Sequence, residues 1–211
     1  MIGSNKKLLQ AAAGVKKGPT EIGESYGGGF YAGKINDGGT EYYLIVAPKS
    51  SGESSGKQWK TSNTTTSGTT SVIDGPSNTS AMNNATHPAA QFCAGLSIGG
   101  YTDWYMPAKN ELEVCYYNLK PGTDTNNTSF GTNPNAVPAR VSNYTGGDPA
   151  QTSVTDFQEG NTEAFATTFN WSSTEASSTN AWVQTFSNGA QGDYISKDSS
   201  YYVRAVRREP V

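Results

Sequence analysis

The sequence is poor in the residues that carry most enzyme chemistry. It holds one histidine, His87, and two cysteines, Cys93 and Cys115. No nucleophile, base and orienting acid can be assembled around that single imidazole, and the Asp and Glu pairs present lie in no supporting motif. The cysteines form no Cys-x-x-Cys pair, so a zinc site is excluded as well. The cysteines fall on two different predicted helices; a disulfide forms if those helices pack together, and two buried free thiols are the expected state otherwise. Charge is scarce too: 16% of residues are Asp, Glu, Lys or Arg, and the formal net charge is −3. There is no basic stripe, which excludes nucleic acid as a partner. No apolar run approaches the roughly 20 residues of a membrane-spanning helix, so membrane insertion is excluded.

What the chain does have is glycine and aromatic rings. It is 211 residues long, with 24 glycines, 34% hydrophobic residues and 11% aromatics. Length points to one domain with a short appendage. The core must lean on Trp, Tyr and Phe, each of which buries a large area. The appendage is residues 1–22, with a break at Gly18-Pro19. Its start, MIGSNKKLLQAAAGV, has Lys6 and Lys7 before a short apolar run, as a signal peptide does. Gln10 interrupts that run, however, and Lys16 and Lys17 close it early. A short amphipathic anchor with Leu8, Leu9, Ala12 and Ala13 on one helical face fits better. The domain proper is residues 23–211.

Strand and helix signals then follow in order. Phe30 to Ile35 and Glu41 to Pro48 read as strands joined at Asp37-Gly38-Gly39. Lys49 to Ala85 is a long polar stretch, either a functional surface or a coil pinned by Trp59 and Ile73. Pro88 to Leu96 is a predicted helix with Ala89, Phe92, Cys93 and Leu96 on one stripe. A second helix starts at Pro107 with Leu112, Cys115, Tyr116 and Leu119 as its stripe. Thr123 to Gly160 is loop-like.

The last forty residues alternate again. In Ala181 to Phe186, Trp182, Gln184 and Phe186 face one way and Ala181, Val183 and Thr185 the other. Asn188-Gly189 is a hairpin signal. A strand over about Ala190 to Lys197 and a closing strand from Tyr202 to Arg207 complete the chain. Trp171, Glu175, Trp182, Phe186, Lys197 and Val203 recur at intervals among Ser, Thr, Asn, Gly and Asp. That is a fixed scaffold carrying exchangeable polar residues, the layout of a binding face. Arg204, Arg207 and Arg208 read as ion-pairing arginines of a terminal strand, not as a phosphate site.

The segments GGFYAGKI, PAAQFCAGLSIGGYTDWYMPAKNELEVCYYNL, NWSSTE, AWVQTFSNG and YYVRAVRR occur in this order. Together they resemble the C-terminal domain of Legionella collagen-like protein, over about residues 23–208. The resemblance implies an α+β domain of the C-type-lectin-like fold, in the branch that includes formylglycine-generating enzymes. It implies two short helices, a small antiparallel sheet and long loops. On that fold Asp103 and Trp104 lead a buried strand into the second helix, Trp171 and Trp182 fill the core, and Glu175 pairs with Arg204. Enzymes of that branch use reactive cysteines near the C-terminal core. Here both cysteines lie mid-chain, so no enzymatic activity is expected. The calcium motifs Glu-Pro-Asn and Trp-Asn-Asp are missing, and Asp124, Asp193 and Asp198 are scattered. No metal and no cofactor are expected.

The resemblance extends to phage proteins whose lectin-type C-terminus is diversified by retroelements. It implies a ligand-binding set of Ala176, Ser177, Ser178, Val183, Thr185, Ser187, Ala190, Asp193, Tyr194, Ile195, Ser196, Asp198, Ser199, Ser200 and Tyr201. The expected function is a virion-associated protein, such as a phage tail fibre, that recognises a host cell-surface glycan or protein. Residues 1–22 would attach it to other virion proteins, and many copies would raise its avidity. A bacterial cell surface is the other expected location. The competing expectation is a structural virion subunit, in the baseplate or as decoration, that binds only other virion proteins.

Overall fold

A computed structural model describes residues 17–211. Of the expected attachment segment, residues 1–22, only 17–22 lie among the described residues. The body is α+β, with two five-stranded sheets instead of one small sheet. The first sheet holds β1 (Ser25–Tyr26), β2 (Gly29–Asp37), β3 (Thr40–Val46), β5 (Ala136–Val137) and β10 (Val206–Pro210). Its path is β1-β2-β3-β10, with β5 on the free edge of β2. The second holds β4 (Glu53–Gln58), β6 (Phe169–Glu175), β7 (Asn180–Thr185), β8 (Gln191–Ser196) and β9 (Ser200–Arg204), in the order β4-β9-β6-β7-β8. Pairing is antiparallel except between β6 and β9, where Asn170 lies opposite Tyr202.

The expected closing strand, Tyr202 to Arg207, is in fact the end of one strand and the start of another. Ala205 stands between β9 and β10, and the chain changes sheets there. The neighbouring chain crosses at the same place, from β3 through a one-turn helix α1 (Lys49–Gly52) into β4. Backbone bonds lock the crossing: Ala205 N–H donates to the Gly52 carbonyl at 2.9 Å and Ala47 N–H to the Ala205 carbonyl at 3.0 Å. Arg204 is buried against it. Its Nε donates to the Ala47 carbonyl at 2.9 Å and its fork to the carbonyl and carboxylate of Glu163 at 2.6 and 2.5 Å. The Phe165 ring lies 4.7 Å from the guanidinium carbon. Glu163, not Glu175, is therefore the main partner of Arg204, with Glu53 a second carboxylate at 3.9 Å.

Three further helices complete the body: α2 (Gly75–Ala81), α3 (Pro88–Ala94) and α4 (Lys109–Leu119). Both expected helices form, while α1 and α2 arise within the stretch read as a long polar coil. Trp59 does pin that stretch, fully buried with its indole N–H on the Ser172 carbonyl at 2.9 Å; Ile73 enters neither core cluster. Pro107 precedes α4 and does not form its first turn, because the cap residue is Ala108. Alanine cannot cap with its side chain. The first amides of α4 are met from elsewhere: Lys109 N–H donates to Thr174 Oγ1 at 3.0 Å and Asn110 N–H to the Val72 carbonyl at 2.8 Å. Thus β6 and the loop before α2 together cap the helix.

Two cores result. One joins the first sheet to α4 through Ile35, Leu44, Leu112, Cys115, Leu119 and Phe186. The other joins the second sheet to α2 and α3 through Trp59, Met82, Cys93, Trp104, Trp171 and Val203. Cys93 and Cys115 are free, buried, and in different cores. Trp104 is buried, but Asp103 is exposed and the segment makes only isolated bridges, Ile98 with Tyr101 and Tyr105 with Val206. Trp182 is only half-buried, beneath the Lys109 ammonium at 4.0 Å, so it does not fill the core as Trp171 does. The expected two-faced alternation in β7 is blurred because both faces are covered, with Ala181, Val183 and Gln184 all buried.

Candidate ligand-binding face

The β6–β7 turn, the β8–β9 turn and the loop over residues 60–69 meet at one end of the second sheet. Backbone bonds join them: Lys60 N–H donates to the Lys197 carbonyl and Lys197 N–H to the Thr179 carbonyl, both at 3.0 Å. The exposed residues of this end are small and polar: Ser62, Asn63, Thr64, Thr65, Ser177, Ser178, Thr179 and Asp198. On the surface, Ser196 Oγ donates to Asp198 Oδ1 at 2.6 Å and Asn63 Nδ2 to Asp198 Oδ2 at 3.1 Å.

Underneath sit two buried ammonium groups. Lys60 Nζ donates to the carbonyls of Thr64 and Thr65 at 3.0 Å each and to Thr66 Oγ1 at 2.9 Å. Lys197 Nζ donates to the same Thr64 carbonyl at 3.0 Å, to the Ser178 carbonyl at 2.9 Å and to the Glu175 carboxylate. Glu175 also accepts the Thr66 N–H at 2.8 Å. So Glu175 pairs with Lys197 in place of the expected Arg204. Loop carbonyls that would otherwise point outward are gathered onto two fixed charges, which makes the polar end rigid. Burial, the larger effect, draws the Lys197 ammonium below its ordinary value against the pull of Glu175.

His87 closes this cluster. His87 Nδ1–H donates to Asn84 Oδ1 at 2.9 Å, and Nε2 accepts from Thr66 Oγ1 at 2.9 Å, a hydroxyl that also accepts from Lys60. That assignment requires a neutral imidazole. Burial, reinforced by Lys60 and Lys197, lowers its pKa from 6.5 to about 4.

The expected ligand residues divide by position. Ala176, Ser177, Ser178, Ser196, Asp198, Ser199 and Ser200 sit at or beside the polar end. Asp193 and Tyr194 lie on β8, the outer strand, with Tyr194 67% exposed. Thr185, Ser187 and Ala190 lie at the opposite end of the β7–β8 hairpin, half-buried. Tyr201 is half-buried with its ring against Trp171 at 5.5 Å and Phe169 at 5.1 Å. Two are removed from the face. Val183 is 2% and Ile195 8% exposed, and both pack in the Trp59–Trp171 core. Their side chains point inward because both strands bury that face of the hairpin. Sequence reasoning missed Asn63, Thr64 and Thr65, which a long polar loop anchored by one tryptophan signalled without saying what lay beside it.

The terminal arginines carry no free cation. Arg207 forms a two-pronged pair with Asp103 at 2.9 and 3.0 Å over the Tyr101 ring, and Arg208 reaches Asp37 at 3.1 Å and Asp74 at 3.3 Å. Among the described residues no group of three or more His, Cys, Asp or Glu could hold a metal ion, and no helix is long and apolar enough to cross a membrane.

This scaffold matches a known family. Residues 51–207 match the Lcl C-terminal domain, the C-terminal domain of Legionella collagen-like protein, and the chain belongs to that family. Membership in that family suggests a binding or adhesion-like domain. No curated protein matches the chain.

Proposed function

We propose that this domain is an adhesion module that holds a cell-surface glycan or protein against the polar end of its second sheet. The observation that carries this reading is the rigid set of hydroxyl and amide groups over Lys60 and Lys197. A surface ordered before it meets its ligand loses less entropy on binding. We read the fold as C-type-lectin-like and the chain as a binder, not an enzyme. Consistent with that, Cys93 and Cys115 are buried, and burial pushes both thiols above the ordinary range, away from a reactive thiolate.

The module works on a virion tail fibre or a bacterial surface, presented in many copies, with residues 1–22 joining it to its carrier. One shallow contact is weak, and repetition raises its hold through effective concentration. The test is saturable binding of labelled, multivalently displayed protein to candidate host cells. A variant with Asn63, Ser178 and Asp198 changed to Ala should lose that binding and keep its melting temperature. Full binding by the triple variant would remove the polar end as the site. No cell binding by either, with retention on purified carrier proteins, would favour a structural subunit.

A further inference from the structure

A second site lies at the other end of the β7–β8 hairpin, and we propose that it binds a single uncharged pyranose ring. The cavity is about 170 Å³ and is lined by Tyr117, Arg140, Val141, Ser142, Asn143 and Asp148, with Tyr144 at its base. Six strand residues at ~3.3 Å each put it about 20 Å from the polar end. It therefore stands or falls apart from the reading above.

Size sets the first limit. Pockets for drug-sized ligands run to about 300–1,000 Å³, whereas a cavity of about 150 Å³ accepts one six-membered ring. This cavity is of the second kind. Rigidity is the next requirement, and it is met. The Tyr144 hydroxyl donates to Glu113 Oε1 at 2.6 Å, and the Gly131 backbone packs so closely on Tyr144 that a Cβ there would lie 2.5 Å from its ring. Arg140 is paired with Glu113 and lies 4.1 Å over the Tyr117 ring, while Asn133 and Arg140 exchange backbone bonds at 2.8 and 3.0 Å.

The lining has the donors and acceptors a sugar needs, and several are uncommitted. Arg140 Nε has no hydrogen-bond partner but is sealed from the cavity, so Arg140 offers a ligand no free Nε–H. Asn143 Oδ1 accepts from Thr132 Oγ1 at 2.8 Å, which leaves its amide NH₂ without an acceptor among the described residues. Ser142 supplies a hydroxyl and Asp148 a carboxylate, both exposed. Val141, 83% exposed, and the half-buried Tyr117 give apolar surface for ring C–H groups. Charge decides the class. Glu113 neutralises Arg140, and Asp148 adds a negative charge at the rim. An anionic sugar would meet no free cation here, whereas a neutral one finds mixed donors and acceptors.

Amide shifts of the isotopically labelled domain should be followed by NMR during titration with methyl glycosides of neutral hexopyranoses. Shifts are expected at Val141, Ser142, Asn143 and Asp148, saturating with an affinity on the order of 1 mM, and absent at Asn63 and Ser178. Asp148→Ala and Asn143→Ala should each weaken binding at least about fivefold, near 1 kcal/mol. Both positions are exposed, so both variants should keep the wild-type fold and serve as the comparison. No saturable shift with any neutral glycoside would overturn the proposal. So would wild-type affinity in both variants, or tighter binding of the matching hexuronate.

Discussion

Lys197 shows what one side chain can carry here. Its ammonium is fully buried, pairs with Glu175 and holds two loop carbonyls. Removing one member of a buried pair leaves the other charge uncompensated, at a cost of about 3–5 kcal/mol. Lys197→Met should lower the melting temperature by that measure, and adding Glu175→Gln should recover part of the loss. Additive effects in that double-mutant cycle would mean that the two groups do not interact. His87 sets a pH dependence at the same scale. Its folded pKa, about 4, lies below the unfolded value of 6.5, so the native state resists protonation. Its stabilisation is complete above pH 6.5 and is lost as pH falls toward 4. Glu111 runs the other way. Burial, opposed by the Tyr105 hydroxyl, raises its pKa from 4.5 to about 7, so stability from this group is lost as pH rises through that window. Chemical denaturation across pH 4–7 should show a flatter acid limb in His87→Asn than in the wild type. An unchanged acid limb would remove His87 as its source.

At the scale of elements, turns depend on glycine for two different reasons. Gly38, in the β2–β3 turn, has φ +59° and open space around it. Gly189, in the β7–β8 turn, has φ +77°, and a Cβ there would lie 2.4 Å from the Tyr116 ring and 2.7 Å from that of Tyr144. Gly38→Ala should cost about 1 kcal/mol from backbone strain alone. Gly189→Ala should cost roughly 3–5 kcal/mol, because overpacking adds to the strain. Equal costs from thermal melts would show that the Tyr116–Tyr144 wall yields easily. Both turns were visible as Asp-Gly and Asn-Gly signals, but only the fold shows which one is pressed against a core. The helix α4 teaches a similar lesson. Its apolar stripe of Leu112, Cys115, Tyr116 and Leu119 was legible, yet Asn110, Glu111 and Glu113 are buried as well. Their partners, Val72, Tyr105, Asn133, Arg140 and Tyr144, come from segments with no periodic signal.

For the whole molecule, the double crossing at Ala47–Gly52 and Ala205 ties the two sheets into one cooperative body. The two cores can be watched separately. Trp59, Trp104 and Trp171 lie in one, and Tyr116 and Tyr144 in the other. Tryptophan fluorescence and the resolved NMR ring resonances of Tyr116 and Tyr144 should therefore vanish at the same denaturant concentration. Separate midpoints would mean that the sheets unfold independently and that the crossing does not couple them.

By itself the sequence determined the α+β class, the helices α3 and α4 and the hairpin turns. Those depend on periodicity, turn chemistry and composition, which are local. It also singled out the C-terminal strands as carriers of small polar residues. Only the tertiary structure decided that Val183 and Ile195 face a core, that Lys197 rather than Arg204 meets Glu175, and that the loop with Asn63, Thr64 and Thr65 lies beside the C-terminal turns. Strand order and the change of sheet at Ala205 bring these groups together across long stretches of chain, and no local pattern encodes which distant strand will lie alongside.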